Sequence, residues 1–264
     1  MKNAQRSFPF RVLFKWSGMV LVILAFVATG LVLSLLPLTR RLRRKARART
    51  TSFFSVIALA VCGVHVGVHH RERLGRGPHG RLVVANHVSY VDVLVLASLS
   101  PMVFITSVEM KHTPLLGLLA SWGGSLFVER RRPAGLRKEI DEIARVLREG
   151  ISVVLFPEGT TSNGERVHPF KRSLFDSAVA AGVSILPLCL RYTAVNGEAL
   201  VRTNRDSLFY YGGITFFAHV PRFLALRSID AELFVLKRIA VESGTTRKDL
   251  AAMAHDSISK AYVS

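Results

Sequence analysis

The sequence predicts a layered α/β domain with a mixed, largely parallel sheet, preceded by an N-terminal membrane helix. Three observations carry this. From residue 81 onward, short apolar runs alternate with helix-patterned stretches, the arrangement that covers a sheet with crossover helices. Upstream, the 24 residues between Lys15 and Arg40 carry no charge, enough for a helix to match a hydrocarbon layer of about 30 Å. Charge is also unevenly divided. Residues 1–80 hold 14 Lys/Arg and one acidic residue, Glu72, so +13 of the net +18 lies there. A basic excess at one end marks an electrostatic attachment segment joined to a near-ordinary domain. The division expected is an attachment segment over 1–62 and a domain over 63–264.

The remaining composition closes other classes. A 50% hydrophobic content and a mean hydropathy of +0.32 exclude intrinsic disorder. Two cysteines, Cys62 and Cys189, exclude a disulfide-stapled scaffold and argue against a cysteine-built zinc site.

The elements follow in order. MVLVILAFVATGLVLSLLPL at 19–38 is the membrane helix, with Trp16 at its edge, where an amphipathic ring is favoured. Seven of the ten residues in RRLRRKARAR, 40–49, are basic. They should meet anionic headgroups, and they place the downstream chain on the cytoplasmic face. A nucleic-acid arm is the lesser reading, because the basic run abuts a membrane segment and no nucleic-acid motif occurs. Phe53–Cys62 reads as a membrane-surface or re-entrant helix and Val64–His69 as the first strand. His65 and His69 share a strand face, but no carboxylate or cysteine joins them nearby in sequence, so a half-exposed strand is preferred to a metal site. Strands are expected at 81–87, 102–107, 124–130, 152–156 and 184–192, with helices after 90, over 114–124, over 134–150 and around 174–181. The helix at 134–150 is the clearest, with Leu136, Ile140, Ile143 and Leu147 on one face and glycine at its end. ITFFAHV, 214–220, and AELFVL, 231–236, are expected late strands, and 246–262 a final helix.

Sheets of this kind place chemistry at the C-terminal ends of strands, and two such ends are unusual. In NHVSYVD, 86–92, His87 leaves a strand and Asp92 falls in the first turn of the next helix. That turn brings the carboxylate back toward the imidazole, where it would hold Nδ1–H and leave Nε2 to accept a proton from a hydroxyl. No nucleophile elbow such as GxSxG is present, so direct attack by a bound alcohol on an activated acyl group suits the pair better than a covalent acyl-enzyme. The alternative is an aspartate that caps its helix beside a strand-end histidine. The second end, FPEGTTS at 156–162, sets a carboxylate, a glycine and three hydroxyls after an apolar strand. Lys171 and Arg172 follow before a helix start, a pattern for an anion site.

Taken together, NHVSYVD (86–92), GGSLFVERR (123–131), FPEGTTS (156–162) and ILPLCL (185–190) resemble the four blocks of the glycerolipid acyltransferase family, over about residues 63–240. The resemblance implies a three-layer α/β/α sandwich on a cytoplasmic membrane face. It implies acyl transfer from acyl-CoA or acyl-carrier protein, as co-substrate, to a lysolipid. By position, His87 matches the general base and Asp92 its partner, Arg130 the arginine associated with acceptor phosphate, Glu158 and Gly159 the third block, and Pro187 the fourth. Asn86, Arg130, Glu158, Gly159, Thr160, Thr161 and Lys171 are the expected substrate-binding positions. No metal and no bound cofactor are implied. Expected partners are membrane lipids and the acyl donor.

One position departs from the family pattern: the third block commonly reads FPEGTRS, and this chain has Thr161 in place of the arginine. The sequence-based expectation is a 1-acylglycerol-3-phosphate acceptor, with Arg130, Lys171 and Arg172 supplying the cations. The alternative is a headgroup without a terminal phosphate, since FPEGTTS, YTAVNG and YYGG are similar to lyso-ornithine-lipid acyltransferases. Two readings from other classes stand beside these: a thioester hydrolase, which would need a wet site, and a non-catalytic membrane scaffold, which would tolerate loss of His87.

Overall fold

A computed structural model describes residues 2–75, 80–129 and 135–263. The N-terminal region forms a helical hairpin. Helix α1 (Lys2–Leu35) is followed by α2 (Arg40–Cys62), whose start is capped by the Thr39 hydroxyl accepting from Leu42 N–H. The two run antiparallel: Gly18 lies against Val61, Phe26 meets Phe54 edge-on at 5.8 Å, and Ser34 accepts from Arg47. The basic run 40–49 is therefore helical and continuous with the apolar run 53–62, where the sequence suggested a separate surface element. Alanines, arginines and a lysine all favour helix, so nothing interrupts it before Gly63, whose φ of 69° ends it.

The rest is a sheet with helices on both faces, as the sequence predicts. In chain order come β1 (Val64–His69), β2 (Leu82–Ala85), α3 (Val91–Leu99), β3 (Met102–Ser107), α4 (Val108–Lys111), α5 (Leu116–Trp122) and β4 (Leu126–Val128). Then follow α6 (Leu136–Arg148), β5 (Ser152–Leu155), α7 (Asp176–Ala181), β6 (Ile185–Val195), β7 (Glu198–Ala199), α8 (Phe216–Ala225), β8 (Ile229–Val235) and α9 (Arg247–Val263). The sheet order is β1-β8-β6-β2-β5-β3-β4, with β7 paired to β6. Strands β6, β2, β5, β3 and β4 are mutually parallel, and β8 joins β6 antiparallel while pairing parallel with β1.

Strand alternation sorts the side chains into two cores. Val83, Ala85, Leu188 and Leu190 pack with α3, α8 and the end of α2. Leu82, Val84, Ile185 and Cys189 pack with α6, α7 and α9. Successive residues of a strand point to opposite faces, and strands buried on both faces read as continuous apolar runs.

One predicted element is wrong in kind. ITFFAHV is not a strand: α8 occupies 216–225, capped by the Thr215 hydroxyl accepting from Ala218 N–H. His219, Phe223 and Leu224 are buried while Phe217 is exposed. Aromatic-rich runs favour strands only weakly, and tertiary packing with a good N-cap overrides them.

Candidate active site

Strand β2 ends at Ala85, and the backbone then leaves the sheet. Asn86 stays in register with β6 through its side chain: its amide donates to Leu190 O (2.8 Å) and its carbonyl accepts from Leu190 N–H (2.9 Å). Asn86 thus extends the ladder by one step, and both ends of its side chain are occupied there.

His87 follows. Its Nδ1 lies 2.9 Å from Asp92 Oδ2. A carboxylate only accepts, so Nδ1 carries the proton and Nε2 bears the lone pair. The ring stacks on Phe156, with centroids 4.0 Å apart and planes 14° apart. Its side chain is 18% exposed, whereas Asp92 is fully buried.

Asp92 receives more than the imidazole. Oδ2 also accepts from Val88 N–H (2.7 Å) and Ser89 N–H (3.0 Å), and Oδ1 accepts from the Tyr192 hydroxyl (2.7 Å). The carboxylate does not cap α3, whose N-cap is Tyr90 with no side-chain cap bond; it holds the imidazole and the backbone of the turn before the helix. Burial and the Asp92 charge push the Tyr192 phenol well up, so it stays a donor.

The loop after β5 is fastened to the same turn. Glu158 accepts from His87 N–H through Oε1 (2.7 Å) and from His168 N–H through Oε2 (2.8 Å), and Ser162 N–H donates to His87 O (3.1 Å). Glu158 is therefore turned inward as a clamp between two loops. Burial, with a smaller contribution from Asp92, pushes its carboxyl up to about 7, against the two N–H donors that lower it. Gly159 has φ 77°, and the Lys171 ammonium lies against it. Thr160 and Lys171 are exposed and Thr161 is half-buried. Lys171 and Arg172 precede a short 3-10 turn, Ser173–Phe175, where the sequence suggested a helix start. Arg130 lies outside the described residues.

The Glu158 shift gives a testable pH dependence. A free carboxyl titrates near 4.5 and the folded one near 7, so protons bind the folded protein first. Stability from this group is present below pH 4.5 and is lost as pH rises through 7, by about 3 kcal/mol. Scanning calorimetry across that window should show the Tm of Glu158→Gln changing less steeply with pH than wild type. Parallel slopes would assign the proton to another group.

Sequence reasoning missed the partners that hold the 87–92 turn from outside. Tyr192 is 100 residues from Asp92. Its signal was position: it shares the strand face of Leu188 and Leu190, and a tyrosine buried there needs an acceptor. Segment 208–219 also grips the turn. Ser89 donates to Leu208 O (2.8 Å), Tyr210 N–H donates to Val88 O (2.9 Å), and the Tyr90 hydroxyl lies 3.0 Å from His219 Nδ1. His219 Nε2 faces Phe209 O at 3.0 Å and must donate there, so Nδ1 accepts from Tyr90. Burial pulls His219 down and keeps it neutral.

His65 and His69 pair across the β1–β8 ladder with Asp230 (3.2 Å) and Glu232 (3.7 Å). No group of three or more His, Cys, Asp or Glu side chains is placed to hold a metal ion among the described residues.

Residues 65–191 match the family model described as Acyltransferase. The chain is 34% identical to the lyso-ornithine lipid O-acyltransferase of Brucella abortus over 243 residues, 88% of each chain. It is 36% identical to the 1-acyl-sn-glycerol-3-phosphate acyltransferase of Neisseria gonorrhoeae over 155 residues, 56% of this chain and 59% of that one. The crystal structure of the 1-acyl-sn-glycerophosphate acyltransferase PlsC from Thermotoga maritima superposes with a TM-score of 0.69 at 19% identity, covering 100% of this chain and 97% of that one.

Proposed function

The chain belongs to the acyltransferase family, and from that premise we propose that it is a membrane-associated O-acyltransferase that acylates the free hydroxyl of a lysolipid. The observation that carries this is the His87–Asp92 pair at the C-terminal edge of β2, with no partner for Nε2 among the described residues. With the acceptor bound, Nε2 takes the hydroxyl proton as the oxygen attacks the thioester carbonyl carbon. The C–O bond forms, the C–S bond breaks, and the imidazolium returns its proton to the departing thiolate. Asp92 stabilises that imidazolium, and Tyr192 with the two backbone N–H groups keeps the carboxylate in place. The donor is acyl-CoA or the thioester of acyl-carrier protein.

For the acceptor, the first reading is lyso-ornithine lipid. Thr161 stands where a cation is common in the family, and an ornithine headgroup brings ammonium charge that a cation there would repel. Similarity over 88% of both chains to a relative of that name supports it. Lysophosphatidate is the second reading, favoured by the Lys171 ammonium exposed beside Gly159. Membranes containing the protein, given labelled acyl donor and each acceptor in parallel, test this against His87→Ala membranes as blank. Label in the ornithine lipid is expected, and label only in phosphatidate would reverse the order. Thr161→Arg should raise the relative kcat/KM for lysophosphatidate about tenfold, through one added charge-assisted contact. An unchanged ratio would remove Thr161 from headgroup choice.

The hairpin supports a membrane location. Phe10–Leu35 is long and apolar enough to cross a membrane, and little of it is buried. Yet α1 is tied at two points: Lys15 to the carbonyls of Cys62 at the end of α2 and of Leu226 and Arg227 in the α/β body, and Gly30 to Trp122 of α5. A helix held along its length by one body lies in the leaflet that body touches. This supports a body seated on one membrane face, and the basic residues beside α1 favour the cytoplasmic one.

A further inference from the structure

Four arginines of α2, Arg40, Arg43, Arg44 and Arg47, follow the i, i+3, i+4, i+7 spacing of a single helix face. Arg40 is exposed, whereas Arg43, Arg44 and Arg47 are partly buried. Together with Arg145 of α6 this face lines a cavity of about 310 Å³ at the N-terminal end of β4. Strand β4 runs parallel to β2, through β3 and β5, and His87 leaves the C-terminal end of β2. The cavity therefore lies beside the edge strand of the sheet, three strands across from the one that carries His87.

Its charges do not balance. Glu142 and Glu149 are shared by Arg44 (2.8 and 3.4 Å) and Arg145 (2.7 and 2.6 Å). Among the described residues, neither Arg43 nor Arg47 meets a carboxylate. One donates to Leu36 O and the other to Ser34 Oγ, and the Nε–H of each is buried without an acceptor. Burial and the adjacent Arg43 and Arg44 work against the charge of Arg47. Packed guanidiniums left unpaired in this way call for an anion with several acceptor oxygens. The position says which one. Leu36 and Ser34 belong to the α1–α2 turn, flanked by exposed Leu31, Val32, Leu35 and Leu42, so an occupant there finds cations for a phosphate and an apolar flank for acyl chains.

We propose that this cavity binds the phosphate of an anionic membrane phospholipid, as a site separate from acyl transfer. The proposal rests on α1 lying in the bilayer and goes beyond any diffuse attraction of the basic run. It separates residues of equal charge on one helix: Arg43 and Arg47 bind, whereas Lys45 and Arg49 lie outside the cavity.

The test uses the full chain in detergent, with phosphatidylglycerol and phosphatidylcholine as probes and native mass spectrometry to count retained lipid. Wild type and the Lys45→Gln/Arg49→Gln protein should each hold one phosphatidylglycerol in preference to phosphatidylcholine. Arg43→Gln/Arg47→Gln should bind it about thirtyfold more weakly. Ser121 also lines the cavity, and Ser121→Glu would supply an internal carboxylate without touching an arginine. It should abolish lipid retention while raising Tm, which keeps the test decisive if the double arginine variant fails to fold. Equal losses in the two double variants would reduce the site to surface attraction. Retention of lipid by Ser121→Glu, or displacement of lipid by equimolar inorganic phosphate, would also overturn the proposal. Flotation with anionic vesicles reads membrane association as a whole, so loss of the site is seen apart from loss of the membrane-associated reading.

Discussion

Membranes carrying His87→Ala transfer acyl groups at no more than about one hundredth of the wild-type rate, because general-base catalysis contributes at least ~10²-fold. The same variant should leave Tm nearly unchanged, since the ring stacks on Phe156 and bonds Asp92, while the backbone bonds of the turn to Glu158 and Ser162 do not need the imidazole. Asp92→Ala should lose activity comparably and stability as well. It frees the N–H groups of Val88 and Ser89 and the Tyr192 hydroxyl, each buried, at about 1–3 kcal/mol per unsatisfied group. The contrast separates the group that handles the proton from the one that also holds the turn. Residual activity above a tenth in His87→Ala, measured as labelled product over a no-protein blank, would exclude the general-base role. Full activity there would favour a scaffold.

Lys15→Met is expected to have the second largest effect, on stability. The Lys15 ammonium sits among Cys62 O, Leu226 O (2.7 Å) and Arg227 O (3.2 Å). Cys62 ends α2 and Leu226 caps α8, so one cation serves two helix C-termini. Methionine fills the space and leaves three carbonyls without their donor, a loss of about 3 kcal/mol or more. For a chain of this size that corresponds to a Tm lower by roughly 10 °C, readable by tryptophan fluorescence in detergent. The Tyr90–His219 contact hangs from the same helix, so the loss should reach the 87–92 turn and lower kcat more than it alters KM. A Tm within about 2 °C of wild type would remove Lys15 from the docking of α1.

What the sequence disclosed and what it withheld divide along physical lines. Strands buried on both faces write continuous apolar runs, so RLVVA and SILPLCL were legible, as was the amphipathic stripe of α6. His87 and Asp92 were legible because one helical turn joins them. Tyr192 and the Tyr90–His219 pair join segments about a hundred residues apart or more, and no local period records such contacts. The strand expected at 214–220 failed because its aromatics pack on α1 and α3 as a helix. Asn86 and Glu158 show a different limit. Their place in the motif was plain, but only coordinates distinguish a side chain facing a substrate from one that bonds backbone, and both bond backbone.

The place of β8 bears on how the protein is made. It lies between β1 and β6, yet among the strands it is the last to be synthesised. While the ribosome is still upstream of residue 226, β1 has no neighbour and Lys15 lacks two of its three carbonyls. The α1–α2 hairpin, translated first, meets the lipid surface before either is supplied. Long-range pairings of this kind form late and slowly, so a nascent chain released from the membrane at that stage would expose an unpaired strand edge beside an apolar helix. Insertion before sheet closure is thus the safer sequence of events, and truncation anywhere before Val235 should yield aggregates rather than a smaller enzyme.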